Sequence, residues 1–325
     1  MKATLPLVIS VDVESDHWRP ARGEKRFTNL QHLAPLVRRL VARGLRPTLL
    51  PTYSVAVDRA SAERLAELTA DGRVELGAHL HPWSTPPQAE ALVDPNTMLC
   101  NLPDALVAEK LARLTEAVAA VAGRRPTTFR AGRWALGPRT VPLLVQAGYT
   151  VDCSVTPYTS WVGDHGPDFD GAPLRVYRLD AHRDPREPGT GPLVEVPLTV
   201  GFSAHPFAAF AWARRQLHHP RLRPTRLAGV AHRAGVVRRI IGSPEMASGP
   251  ALARLAGAAL REGADCVHFA LHSQSLCAGN SPFAPSSRAA AQVVDALFDA
   301  VDRLAAHYTL RGMTVGEAGR RFAPP

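Results

Sequence analysis

The sequence has no apolar run that approaches the length of a membrane span. A transmembrane helix needs about 20 mostly apolar residues, and no segment of the 325 residues reaches that length. A secretion signal is not indicated either, because the short apolar stretch 5–11 is followed directly by Asp12 and Glu14. We therefore predict that residues 5–11 form a buried strand, that the chain has no transmembrane segment and that the protein is cytoplasmic.

Cysteine is also scarce. The four cysteines, Cys100, Cys153, Cys266 and Cys277, form neither a CxxC pair nor a zinc-finger spacing. In a long chain without a secretion signal, free thiols are more common than disulfides. We expect all four thiols to be free.

Acidic residues are outnumbered by basic ones, 29 against 38, which gives a formal net charge of +9. Such a balance can indicate an acidic partner. However, the excess is mostly arginine in an alanine- and proline-rich chain, and no recognition helix, RNA-binding signature or zinc module accompanies it. The sequence therefore does not predict a nucleic-acid partner.

Strand-like and helix-like segments alternate at the spacing of βα units. Strand candidates lie at 7–11, 48–52, 74–79, 128–130, 151–154, 193–197 and 266–272. Helix candidates lie at 30–42, 61–69 (with Ser61 as its N-cap), 103–121, 138–147 and 286–307. Consecutive βα units predict a parallel sheet, open or closed as a barrel. With 46% hydrophobic residues, the chain can build one large α/β domain over 1–325.

Residues 202–247 break this alternation. The segment is dense in arginine, has almost no acidic residue before Glu245, and has apolar residues interleaved. The segment predicts a basic helical insertion, which would lie near the face of the fold that carries the active site. Such an insertion could bind a phosphate or carboxylate of the substrate, or it could be a solvated helical cap.

Five polar residues fall at or just beyond predicted strand ends: Asp12, His79, Arg130, Asp152 and His272. Because the carboxyl ends of parallel strands meet at one edge of a barrel, these residues are expected to share a site. Arg130 could keep a catalytic carboxylate ionised, Asp152 could orient a histidine, and His272 could be a general acid.

Two pairs of residues have the period-2 spacing of an extended segment. Asp12 and Glu14 present two carboxylates on one face, which is costly unless a cation or a shared proton relieves their repulsion. His79 and His81 can likewise turn two imidazoles toward one point. Two imidazoles and a carboxylate form a common open site for zinc or another divalent ion.

Three tryptophans, Trp83, Trp134 and Trp161, offer aromatic faces near these motifs. They could stack on a sugar ring, or they could pack in the core, and the sequence does not separate the two interpretations. Arg133, next to Trp134, is a further candidate for substrate binding.

In chain order, residues 10–14, 79–81, 129–134, 152–154 and 271–272 resemble the five motifs of the NodB-homology polysaccharide deacetylases, a carbohydrate esterase-type family. The resemblance spans about residues 7–276. The sequence around 83–87, 100–103 and 272–283 is similar to a branch labelled WalW, which is associated with lipopolysaccharide or other surface-glycan biosynthesis. The family implies a deformed (β/α) barrel.

The resemblance also implies a divalent metal, with zinc expected first and cobalt, nickel or manganese as alternatives. Its ligands would be His79, His81 and an acidic residue, Glu14 or alternatively Asp16. The sequence departs from the family pattern in two respects. Val13 stands where many relatives have a second aspartate, and the two histidines are two residues apart rather than four.

Carried over from the same motifs, Asp12 is the base, Arg130 pairs with it, Asp152 is the fourth-motif aspartate and His272 is the general acid. The implied activity removes an N-acyl group, in most relatives acetyl, from an amino sugar of a surface glycan or its precursor. That carbohydrate could be anionic or lipid-linked, with peripheral membrane contact. Two alternatives stay open: hydrolysis of a non-sugar C–N bond on the same scaffold, and a non-catalytic glycan-binding relative.

Overall fold

The computed structural model describes residues 2–217 and 238–324. Within these ranges twelve strands are present: β1 (Thr4–Val13), β2 (Thr48–Pro51), β3 (Glu75–Leu76), β4 (Ala78–Leu80), β5 (Thr128–Ala131), β6 (Val151–Asp152), β7 (Tyr177–Leu179), β8 (Leu193–Glu195), β9 (Val200–Gly201), β10 (Ile240–Ile241), β11 (Val267–His272) and β12 (Thr309–Met313).

The same ranges contain nine α-helices: α1 (Leu33–Val41), α2 (Tyr53–Val57), α3 (Arg59–Thr69), α4 (Asp104–Ala122), α5 (Thr140–Gln146), α6 (Phe207–Leu217), α7 (Gly249–Arg261), α8 (Ser287–His307) and α9 (Val315–Phe322). Short 3-10 helices follow several strand ends, among them Pro82–Ser84, Gly132–Trp134 and Ser273–Leu276. Apolar faces of α1, α4 and α8 pack on the sheets to form the main core.

The strands form two five-stranded sheets. In the first, β1 pairs in parallel with β11, β12 and β2, and β2 pairs with β3. The second has the order β4-β5-β6-β8-β7 and is parallel except for β7. Strands β9 and β10 form a separate antiparallel pair.

Gly77 joins the two sheets. It lies between β3, which pairs with β2, and β4, which pairs with β5. A Cβ at this position would lie 2.6 Å from a side-chain carbon of Leu50 and 2.7 Å from the carbonyl oxygen of Thr128. Since only glycine fits between two strands this close, the chain can pass from one sheet to the other without a loop.

On the opposite side, the backbone N–H of Thr199 donates to the carbonyl of His268 in β11 at 3.1 Å. Within the described residues the strand ladders do not close into one hydrogen-bonded ring. The predicted α/β fold, a deformed barrel of mainly parallel strands, is confirmed in this form. The carboxyl ends of strands from both sheets meet at one edge, as a shared site requires.

Several element bounds differ by a few residues from the sequence predictions, and two of these differences have a specific structural cause. Asp58, not Ser61, caps helix α3, because its carboxylate accepts from the Ser61 N–H at 2.9 Å. The predicted strand 74–79 is divided at Gly77. Of the predicted insertion at 202–247, the described parts contain α6 and β10, and residues 218–237 lie outside the described residues. None of the described helices combines the length and apolarity needed to cross a membrane.

Candidate active site

Three predicted metal ligands converge at the carboxyl ends of β1 and β4. His79 Nε2 lies 3.1 Å from His81 Nε2 and 3.5 Å from a carboxylate oxygen of Glu14. His81 Nε2 lies 3.1 Å from the other oxygen of Glu14. The three donor atoms lie within 4.8 Å of one another, and all three residues are nearly buried. This donor set fits a divalent ion with open positions.

The surroundings of the two imidazoles also fit a metal site. His79 Nδ1 lies 3.2 Å from the carbonyl oxygen of Arg130, so it carries the hydrogen and leaves Nε2 as a lone-pair donor, as is usual for metal-bound histidine. His81 Nδ1 is buried without a hydrogen-bond partner among the described residues. Burial lowers the pKa of His81 despite the opposing charge of Glu14. The imidazole is therefore held neutral, the form that binds metals.

Asp16, the alternative acidic ligand, has other partners. Its carboxylate accepts hydrogen bonds from the backbone N–H groups of Thr28 and Asn29, from the Thr28 hydroxyl and from the Asn29 amide, at 2.7–3.0 Å. It organises the turn after β1, whereas Glu14 faces both histidines.

Asp12 lies beside this donor set. Its Oδ1 accepts from Arg130 Nη1 at 2.7 Å, and its Oδ2 lies 4.0 Å from His79 Nε2 and 3.7 Å from His272 Nε2. Burial raises the pKa of Asp12, but the charges around it, above all that of Arg130, outweigh burial and lower the pKa below its ordinary value. Asp12 is therefore a buried, ionised carboxylate.

Arg130 is fully buried, and each of its three guanidinium nitrogens has a hydrogen-bond partner. Besides Asp12, it donates to the carbonyl of Cys153 at 3.1 Å and to the Ser10 hydroxyl at 2.8 Å. Its Nη2 also lies 3.3 Å from His268 Nε2. These contacts fix the guanidinium, so the orientation of Asp12 is fixed with it.

His272 is paired with Asp12 by strand register: the two residues are direct neighbours in the parallel ladder of β1 and β11. Glu245 lies on the other side of its ring, with His272 Nδ1 3.0 Å from Glu245 Oε2 and the His272 backbone N–H donating to Oε1 at 3.0 Å. Burial would lower the pKa of His272, but the charge and hydrogen bond of Glu245 and the charge of Asp12 raise it to about 10.

Sequence reasoning missed Glu245, which it treated as the end of the basic insertion. It assigned the orientation of a histidine to Asp152 instead. Among the described contacts, Asp152 accepts from the Ser154 N–H and hydroxyl at 2.9 Å and lies opposite Glu195 in the ladder of β6 and β8. Burial raises the pKa of both carboxyls, that of Glu195 well above its ordinary value. The raised pKa favours the protonated form of Glu195 at neutral pH, in the layer of side chains behind Arg130.

A cavity of about 600 Å³ opens over these groups. Four tryptophans line it: Trp18, Trp83, Trp134 and Trp161. Three of them also pack against a polar side chain of the site. The Trp83 ring lies 4.1 Å from the ring of His81, Trp18 meets His272 edge-on at 4.9 Å, and the Arg130 guanidinium lies 4.9 Å from the Trp134 ring. Trp83 and Trp134 therefore pack against polar side chains and also line the cavity, and their contact with a sugar stays a prediction.

The backbone after β5 is unusual. Arg133 and Trp134 both have positive φ values, 56° and 60°, a conformation that costs non-glycine residues about 1–3 kcal/mol each. Just before them, a Cβ on Gly132 would lie 2.2 Å from His81 Nδ1. The chain therefore needs glycine at position 132, where its backbone contacts the ring of His81. The two strained residues that follow line the cavity.

No protein-family model matches the sequence, and a search of curated proteins finds no match. Solved structures are similar. A 4-alpha-glucanotransferase from Thermococcus litoralis aligns with a TM-score of 0.52 and 9% identity over 100% of this chain and 42% of its own. A candidate polysaccharide deacetylase from Mycobacterium smegmatis gives 0.49 and 15% over 97% and 90%. A family 4 carbohydrate esterase from Streptomyces lividans, in complex with acetate, gives 0.33 and 17% over 49% and 67%. At these identities the likeness concerns the fold.

Proposed function

We propose that this protein is a metal-dependent hydrolase of the polysaccharide deacetylase type, which removes an N-acyl group, in the first instance acetyl, from an amino sugar. One observation carries the proposal: the donor set of Glu14, His79 and His81 lies directly beside an ionised carboxylate, Asp12, and a protonated imidazole, His272. A metal-dependent amide hydrolase uses this combination of a metal site, a base and an acid.

Glu14, His79 and His81 are the residues that would hold the ion, and two nitrogens with one carboxylate suit zinc. When bound, a divalent ion would polarise the acyl oxygen and lower the pKa of a water molecule. The protein must then supply a group that takes a proton and a group that gives one.

Asp12 is the group that takes the proton. Its pKa lies below the ordinary value, so it is ionised at neutral pH. Arg130 occupies Oδ1, while Oδ2 faces His79 and His272 and is the free acceptor. As the water oxygen bonds to the acyl carbon, Asp12 accepts its proton.

His272 is the group that gives the proton. With Nδ1 held by Glu245, its Nε2 end faces Asp12 and the cavity. Its raised pKa keeps it charged at neutral pH. As the C–N bond breaks, His272 protonates the departing nitrogen, and the products are a carboxylate and an amine. A positioned acid or base contributes about 100- to 10,000-fold to such a reaction.

The finer parts of the proposal rest on the motif resemblance and on the cavity. These are a carbohydrate substrate from a surface glycan or its precursor, the WalW-like branch, zinc as the ion and a cytoplasmic location. The aromatic lining of the cavity supports a sugar, since indole faces give a large apolar contact area with a polar edge. A single catalytic domain over residues 1–325 with an arginine-rich insertion is part of the same proposal.

The test is release of acetate from a panel of acetylated amino sugars, with metal content measured on the same samples. Asp12→Asn and His272→Ala should each lose nearly all turnover while keeping the metal and the fold. Asp302→Asn and His307→Ala make the same chemical changes at exposed positions on helix α8 and should keep turnover. Substantial activity in Asp12→Asn or His272→Ala would refute the assigned roles. Hydrolysis of small amides or ureides in preference to all acetylated sugars would refute the substrate class.

A further inference from the structure

We propose that Arg133 binds an anionic group, a phosphate or a carboxylate, on the sugar whose N-acyl group is hydrolysed. This inference rests on the proposed function, because it specifies the substrate class of the same site. The substrate is then a small N-acylated amino sugar that carries negative charge, rather than a neutral one.

Arg133 is held in the cavity wall by a buried neutral group. Its Nη1 donates to the hydroxyl of Thr97 at 2.8 Å. Thr97 is buried, and its hydroxyl donates to the carbonyl of Asp94 at 2.6 Å. The hydroxyl hydrogen is therefore committed, and only its lone pairs face Arg133. This arrangement aims the guanidinium without neutralising it.

The charge of Arg133 has no counter-ion among the described residues. A guanidinium has five N–H donors, and Thr97 accepts from one. No carboxylate of the described chain lies within 4.0 Å of Arg133, including Asp164 on the same cavity wall. By contrast, Arg130, deeper in the cavity, already forms an ion pair with Asp12. An arginine with free donors in a ligand cavity is suited to a phosphate or carboxylate, which it can bind with two parallel hydrogen bonds.

Size and backbone support the same assignment. The cavity of about 600 Å³ contains both Arg133 and the metal-ligand set, and it lies in the range of small-molecule pockets. One ligand can therefore contact both groups. Arg133 also adopts a left-handed backbone conformation, φ 56°, of the kind that concentrates at ligand-binding positions.

The experiment compares N-acetylglucosamine with its 1-phosphate and with N-acetylmuramic acid, which carries a carboxylate. We measure kcat/KM for acetate release by the metal-loaded protein, and binding of glucosamine and glucosamine 1-phosphate by calorimetry. Wild type should prefer an anionic compound, and Arg133→Gln should reduce that preference by about 10- to 100-fold, mainly through KM. Arg139→Gln is the matched control, because Arg139 pairs with Asp104 away from the cavity. The phosphate and carboxylate arms identify which anion Arg133 binds.

Equal treatment of neutral and anionic sugars by wild type would overturn the anion site while leaving the deacetylase proposal intact. The anion site is equally overturned if Arg133→Gln weakens neutral and anionic compounds alike. Conversely, no acetate release from any sugar, together with Arg133-dependent binding of glucosamine 1-phosphate, would refute the deacetylase function and support the anion site. We also expect the affinity of Arg133→Gln for glucosamine 1-phosphate to depend less on salt concentration than that of wild type, since an ionic contact weakens with ionic strength.

Discussion

Glu245 accepts hydrogen bonds from both the backbone N–H and the ring Nδ1 of His272. The carboxylate is 3% exposed and also accepts from the hydroxyls of Ser243 and Ser275. It is therefore fixed in place before any substrate arrives. Glu245, which raises the pKa of the proposed acid His272, lies 27 positions before it in the chain. It belongs to the end of the segment that interrupts the βα pattern.

Replacing Glu245 should move the alkaline limb of the pH profile to lower pH. The proposed acid must be protonated, so activity falls as pH rises through the pKa of His272, about 10. Glu245→Gln removes the main cause of that raised pKa and leaves burial, which lowers it. We expect the alkaline limb of kcat/KM to shift down by more than one pH unit. Glu187→Gln, an exposed glutamate, is the control, and an unshifted limb in Glu245→Gln would contradict the role.

Metal binding should depend on Glu14, His79 and His81 and not on Asp16. Elemental analysis of wild type loaded with zinc should give about one ion per chain, and His79→Ala, His81→Ala or Glu14→Ala should lose it. A missing ligand typically lowers affinity by far more than the 10- to 100-fold seen for outer contacts. Asp16→Asn keeps the size of the side chain and loses hydrogen bonds only to Thr28 and Asn29, so it should retain the ion. Metal loss in Asp16→Asn alone would reassign the acidic ligand.

A methyl group on Gly132 should damage the metal site without unfolding the protein. The added Cβ would lie 2.2 Å from His81 Nδ1 and 2.6 Å from the Leu80 carbonyl, so the His81 ring must shift from the position in which its Nε2 faces Glu14. We expect Gly132→Ala to weaken metal affinity at least about 10-fold, by analogy with changes beside metal ligands, measured by competition with a chelator. Gly163→Ala, where an added Cβ meets nothing within 4 Å, should bind normally. Equal affinities would contradict the argument.

His268 should make the protein less stable in acid. Burial and the charge of Arg130 lower its pKa to about 3, from an ordinary value of 6.5. Between pH 6.5 and about 3, His268 is therefore protonated in the unfolded chain but neutral in the folded chain. The stabilisation is complete above pH 6.5 and is lost as pH falls toward 3, by up to about 1.4 kcal/mol per pH unit.

The measurement is urea unfolding between pH 7 and 4. His268→Gln cannot titrate, so its free energy of unfolding should fall less steeply with acid than that of wild type. His307→Gln, at an exposed position, should follow wild type. If the free energy of unfolding fell equally steeply with pH in wild type and in His268→Gln, the pKa of His268 would not be lowered in the folded protein.

Much of the site could be predicted from strand ends. Asp12, His79, Arg130 and His272 follow or end apolar strands, and parallel register then makes neighbours of Asp12 and His272, and of His79 and Arg130. The period-2 spacing of His79 and His81 was likewise enough to predict two imidazoles at one point. His79 lies in β4, His81 after it keeps an extended backbone, and their Nε2 atoms lie 3.1 Å apart.

Other parts could not be predicted, because they depend on contacts distant in sequence. Glu245 lies outside any βα unit, and no local pattern links it to His272. Lys110 lies in helix α4, where a lysine is expected to face solvent, yet its side chain is fully buried. Its ammonium group donates to the carbonyls of Pro82, Thr85 and Pro87. Helix α9 was missed although a signal was present, since Thr314 and Glu317 form a capping box at its start.

Four of the five tryptophans of this chain surround a single cavity, and the fifth, Trp212, is 60% exposed on helix α6. The ultraviolet emission of the protein therefore comes mostly from indoles that touch the site. A ligand or ion that enters the cavity alters the surroundings of several fluorophores at once, whereas Trp212 is not among the residues that line the cavity. Binding can then be followed on the unlabelled protein, at the concentrations at which it acts, without waiting for an assay of its chemistry.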